Sequence, residues 1–111
     1  MTGRGEVTTG PLPIGQFVQL VKQSVTRDPL FKNQALRGEV TQWKQYPSGH
    51  TYFSLRDQDG QMRAVIWKGR CAIDPSIKEG SEVVLLASLD LYIRRGEIQL
   101  NVERIEPVSV L

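Results

Sequence analysis

The chain has 111 residues, is 40% hydrophobic and carries a formal charge of +2, so it suits one domain on a single core and leaves no room for a second of similar size. So mild a charge does not name nucleic acid as a partner; any such case rests on where the basic residues fall. One cysteine (Cys71) and one histidine (His50) exclude an internal disulfide framework and an ordinary all-protein zinc site, and no run approaches the roughly 20 apolar residues of a membrane span.

Residues 1–13, "MTGRGEVTTGPLP", are rich in Gly, Thr and Pro without an apolar period. They read as a flexible leader, and they lack the apolar centre of a signal peptide. The expectation is a soluble protein of the reducing cytoplasm with no membrane partner, in which Cys71 is an incidental packing thiol. From Ile14 the pattern changes. Ile14, Phe17, Val18, Val21 and Val25 recur at helical spacing, with Gln16, Gln19, Lys22 and Gln23 on the other side. An amphipathic helix is predicted, stopping before Pro29, which disfavours helical backbone at Asp28. Helix and linker together occupy 14–33, with Leu30 and Phe31 anchoring the connection.

Residues 34–107 read as a domain of five strands, because apolar and polar residues alternate and the breaks carry turn chemistry. The first strand is "ALRGEVTQWKQY" and the second "HTYFSLRD", joined through Pro47 and Gly49 in a hairpin. "DQDG" turns the chain into "QMRAVIWKG", completing a three-stranded meander. "RCAIDPSIKEGS" breaks the alternation and is a connection with room for one helical turn. "EVVLLASLDLYI" and "EIQLNVERIEPV" follow, reversed at Arg94–Gly96. Three strands, a connection and two strands form the order of the OB-fold, a five-stranded Greek-key barrel, although five short strands also suit an SH3-like barrel. The predicted fold class is therefore mainly β: a five-stranded OB-fold barrel preceded by an N-terminal amphipathic helix. Gly38 inside the first strand marks a bulge or sharp bend.

No catalytic constellation is evident: no Ser/His/Asp set, no phosphate-cradling loop followed by Lys-Ser/Thr, and no carboxylate cluster flanked by histidine. Asp57 and Asp59 beside Gly60 are turn formers. The chain by itself is expected to have no catalytic residues, no metal and no cofactor. What remains is a surface. Phe53 and Leu55 share one face of the second strand and Tyr52, Ser54 and Arg56 the other; Arg63, Val65 and Trp67 share a face of the third. If those faces coincide, Tyr52, Trp67 and two arginines make a platform on which bases stack while cations meet phosphates. Periodicity alone equally allows Tyr52 or Trp67 to point into the core. Trp43, Lys44, Tyr46, Ser48 and His50 gather at the first hairpin, and Tyr92, Arg94 and Arg95 at the last. The same composition also suits a protein-docking face, which is the alternative reading.

The run "LRGEVTQWKQYPSGHTYFSLRDQDGQMRAVIWKG", with the preceding helix, the "DPLFKN" linker and the closing "LYIRRGEIQLNVERIEP", resembles the N-terminal OB domain of the exodeoxyribonuclease VII large subunit. The likeness extends across nearly the whole chain. It implies a module that binds single-stranded DNA and feeds it to a C-terminal nuclease domain, which hydrolyses DNA to oligonucleotides in bacterial DNA repair, with the small subunit as partner in the intact enzyme. That nuclease domain is not in this chain, which is expected to be either an excised domain or a free-standing relative. The DNA contacts implied are Trp43, Lys44, His50, Tyr52, Arg63, Trp67, Lys68, Arg94 and Arg95, with Gly38, Gly49 and Gly96 structural.

Overall fold

The computed structural model describes residues 10–108; the first nine positions of the expected leader lie outside them. Helix α1 (Ile14–Arg27) starts after Pro13, whose carbonyl accepts the Gln16 N–H at 2.9 Å. It ends at Asp28, whose extended backbone (φ −77°, ψ 115°) is what a following proline imposes. The Asp28 carboxylate then accepts the Leu30 N–H at 2.9 Å and opens a short 3₁₀ turn, Pro29–Phe31. No residue of α1 is buried. Val18, Val21, Lys22 and Val25 are half-buried at helical spacing and β4, defined below, is the strand that the helix packs on, while Ile14, Phe17 and Leu20 stay exposed.

The five strands are β1 (Gln34–Gln45), β2 (Thr51–Arg56), β3 (Gln61–Ile66), β4 (Glu82–Tyr92) and β5 (Glu97–Pro107). They close into a barrel in the order β1-β2-β3-β5-β4, with β4 returning to β1. All pairings are antiparallel except β3 with β5, which is parallel and aligns Ala64 with Leu100 and Val65 with Asn101. This closed Greek-key arrangement is that of an OB-fold. The strand β1 closes the barrel by serving two neighbours: Gln34–Glu39 pair with β4, and Glu39–Gln45 with β2.

Gly38 lies where β1 changes neighbours. A Cβ there would sit 2.8 Å from the Arg56 carbonyl oxygen and 2.9 Å from Leu55 Cγ, so the glycine permits a close backbone approach. The bulge itself falls later, between Thr41 and Lys44, where Gln42 takes a left-handed φ of 57°. The N–H groups of Gln42 and Trp43, freed from the ladder, both donate to the Glu79 carboxylate at 3.0 Å.

Alternation delivers the core: Val40, Phe53, Leu55, Ala64, Ile66, Val83, Leu85, Ala87, Leu100, Val102 and Ile105 are buried in one cluster. Each larger side chain contributes about 1.5–3 kcal/mol by leaving water. The β3–β4 connection forms turns rather than a helical segment, with Ile77 N–H donating to Asp74 and Ser81 N–H to Lys78, and it buries Ile77 in the same cluster. Cys71 packs half-buried against this core, and burial pushes its thiol up from the ordinary range. Among the described residues no helix is long and apolar enough to cross a membrane.

Candidate nucleic-acid interface

The β2–β3 register answers whether the two outward faces coincide. Tyr52 lies opposite Val65 and Ser54 opposite Arg63, so Tyr52, Arg63 and, one step beyond Ile66, Trp67 share a side of the sheet. Phe53 and Leu55 point the other way, into the core. Two residues on the outward side are nevertheless buried. Val65 lies at 0% exposure in register with Tyr52 and Asn101, and Ser54 at 1%, its hydroxyl bonded to the Gln42 side chain at 3.3 Å. The bulge at Gln42 brings that side chain over Ser54, which alternation alone does not reveal.

Four rings cluster on this side. Tyr52 and Trp67 have centroids 6.2 Å apart at 82°, His50 and Trp67 5.0 Å apart at 86°, and Tyr46 and Tyr52 5.4 Å apart at 89°. Edge-to-face contacts hold these rings at fixed angles without stacking them on one another. The first hairpin positions them: Tyr46 N–H donates to the His50 carbonyl at 2.9 Å and Gly49 N–H to the Tyr46 carbonyl at 2.8 Å. His50 Nδ1 accepts the Lys68 N–H at 2.9 Å, which leaves the ring proton of the neutral imidazole on Nε2.

These rings line a cleft of about 630 Å³ together with Ser48, Arg63 and Ala64 and with Tyr92, Arg95, Glu97 and Gln99 from the β4–β5 hairpin. Of the nine residues implied by the resemblance, His50, Tyr52, Arg63, Trp67 and Arg95 line the cleft. Trp43 and Lys44 line an adjoining groove with Tyr46, Tyr52 and Arg63. Lys44 Nζ sits 5.0 Å from the centre of the Tyr46 ring. Trp43 is also half-buried against Phe53, with centroids 5.2 Å apart, because the bulge turns it toward the end of the core. Lys68 is exposed behind His50, and Arg94 is exposed in the last turn outside the cleft wall.

Charge is uneven here. The four ion pairs among the described residues join Lys22 to Asp90, Arg37 to Glu82, Arg56 to Glu39 and Arg70 to Glu103. Lys44, Arg63, Lys68, Arg94 and Arg95 take part in none of them, so their charge faces solvent around the rings. Among the described residues no group of three or more His, Cys, Asp or Glu is placed to hold a metal ion. Sequence reasoning passed over Glu97 and Gln99, and Asn101 just beyond them. Their signal was present in the alternation of β5, where all three fall opposite Leu100 and Val102, but polar residues at such positions look like any solvated strand face.

The model of the OB-fold nucleic acid binding domain family matches residues 12–106. Curated relatives include the exodeoxyribonuclease 7 large subunit of Exiguobacterium sibiricum, 36% identical over 97 residues, which are 86% of this chain and 22% of that protein. The same-named protein of Clostridium perfringens is 32% identical over 100 residues, 89% of this chain and 25% of its own length. This chain thus spans about a quarter or less of these relatives. Among solved structures, a replication protein A heterotrimer bound to ssDNA superposes with a TM-score of 0.56 at 16% identity, over 68% of this chain and 57% of the other, a likeness of fold. By the match that spans helix and barrel together, the chain belongs to the family of OB-fold nucleic acid binding domains.

Proposed function

We propose that the cleft binds single-stranded DNA and that the domain presents it to the nuclease domain of an exodeoxyribonuclease VII large subunit, which hydrolyses it to oligonucleotides. One observation carries this reading: Tyr46, Tyr52, Trp67 and His50 form a run in which each ring lies 5.0–6.2 Å from the next, beside Arg63 and Arg95, which take part in none of the ion pairs among the described residues. Each ring that stacks on a base contributes roughly 1–3 kcal/mol whatever the base, and the arginines neutralise phosphates. The nuclease link rests on the relatives, which are named as exodeoxyribonuclease 7 large subunits. In such an enzyme the small subunit is the assembly partner, the cytoplasm the setting, and bond hydrolysis the task of the nuclease domain, with no cofactor assigned to this domain.

The test is the affinity of a labelled single-stranded oligonucleotide for the chain and for Tyr52→Ala and Trp67→Ala. Losses of about 5- to 150-fold are expected for each, the equivalent of one stacking contact. Unchanged affinity in both folded variants would remove the platform. A chain that ignores the oligonucleotide altogether would favour the protein-docking reading of the same rings.

A further inference from the structure

Behind the rings runs a polar chain that reaches the helix. Trp67 Nε1–H donates to Asn101 Oδ1 at 3.3 Å, and Asn101 Nδ2 donates to Asp90 Oδ2 at 3.1 Å. The other Asp90 oxygen accepts the Leu91 N–H at 2.7 Å and lies 3.8 Å from Lys22 Nζ on α1. Gln99 Nε2 adds a longer bond to Asn101 Oδ1 at 3.5 Å. Chemistry gives this chain a direction. An indole N–H only donates and an ionised carboxylate only accepts, so the amide between them must turn its oxygen to Trp67 and its NH₂ to Asp90. The carboxylate thus decides which way the amide faces. Asn101 is half-buried and is not among the residues lining the cleft, so it meets a ligand only through Trp67.

We infer that Asn101 and Asp90 are positioning residues that hold the Trp67 indole at the angle at which it meets a base, and that Lys22 ties this support to α1. The inference rests on the reading of Trp67 as a stacking ring. Edge-to-face contacts with His50 and Tyr52 restrain the indole at the cleft; the N–H bond to Asn101 adds a restraint on its rotation. Without that bond the stacking orientation is one of several populated, and apparent affinity falls by the fraction lost.

A double-mutant cycle tests this. Asn101→Leu keeps the branched shape of the side chain and cannot accept a hydrogen bond; Asp90→Asn can donate as well as accept and so frees the amide to flip. Each is expected to weaken oligonucleotide binding about three- to tenfold, in line with one hydrogen bond. In a Trp67→Phe background, where the ring has no N–H, neither should weaken it further. A second readout needs no DNA: the Trp67 indole ¹⁵N–¹H resonance should move in both variants while that of Trp43 stays. Equal losses in both backgrounds, or a Trp67 resonance unmoved by Asp90→Asn, would overturn the inference. Should Asn101→Leu not fold, Asp90→Asn carries both tests, its side chain being 28% exposed. Unchanged affinity in Trp67→Ala defeats the stacking reading instead, and the resonance still decides whether the chain holds the indole.

Discussion

Gly49 shows how much one residue can hold in place at this site. Its φ of +99° lies where L side chains are strained, and a Cβ would meet Lys68 Cγ at 2.8 Å. Since the Lys68 N–H fixes His50 through Nδ1, Gly49→Ala should reduce both stability and binding. A loss of about 1–3 kcal/mol is expected, read from the urea midpoint, together with weaker oligonucleotide binding. Trp43→Ala should act in the opposite proportion. Its ring packs on Phe53, so unfolding should become easier by about 2 kcal/mol or more, with a smaller effect on affinity than Trp67→Ala has. At this scale alternation marks one face with Tyr52 and another with Arg63 and Trp67 and leaves open whether they coincide; the register, with Tyr52 opposite Val65 and Ser54 opposite Arg63, puts them on one side. Alternation could not mark Asn101, whose importance comes from a parallel pairing of β3 with β5 between residues far apart in sequence.

Among the elements, β1 depends on a pin from outside the sheet. The Glu79 carboxylate receives the two N–H groups that the bulge exposes, and the Trp43 and Gln42 N–H bonds hold its carboxyl below the usual carboxylate range. A folded-state value below the unfolded one means that the contribution is present above the unfolded carboxylate range and is lost as pH falls through the lowered folded value. Glu79→Gln should therefore lower the denaturation midpoint at neutral pH, and the difference from the parent chain should shrink in acid. Helix α1, with no buried residue, should exchange its amide hydrogens well before β1 and β2. The strand boundaries were readable from alternation and turn residues to within a residue or two, apart from β3, which stops at Ile66, short of Trp67. The bulges were less readable. Gly38, read as a bulge or sharp bend, admits a close backbone approach where β1 passes from β4 to β2, while the phase slips occur at Gln42–Trp43 and, opposite Leu86 and Ala87, at Glu103. A phase slip has no compositional mark when the residues on both sides of it are ordinary strand formers.

For the whole molecule, barrel closure brings cations from separate strands and turns together near the rings of a nearly neutral chain. Glu39, Glu82, Glu103 and Asp90 are each paired with a base, whereas Lys44, Arg63, Lys68, Arg94 and Arg95 take part in none of the ion pairs among the described residues and share the surface near the rings with Glu97. A net charge of +2 gave no hint of this, because the first and last hairpins come to line one cleft only when the barrel closes. Binding driven by phosphate neutralisation falls with salt, since each contact releases counterions. The most direct measurement is oligonucleotide affinity across a salt series for the parent chain and for the double variant Arg63→Ala, Arg95→Ala. The prediction is a linear fall of log affinity with log salt whose slope becomes shallower by about 0.7 for each arginine removed. Binding indifferent to salt, or a double variant with the parent's slope and affinity, would contradict a single-stranded DNA cleft.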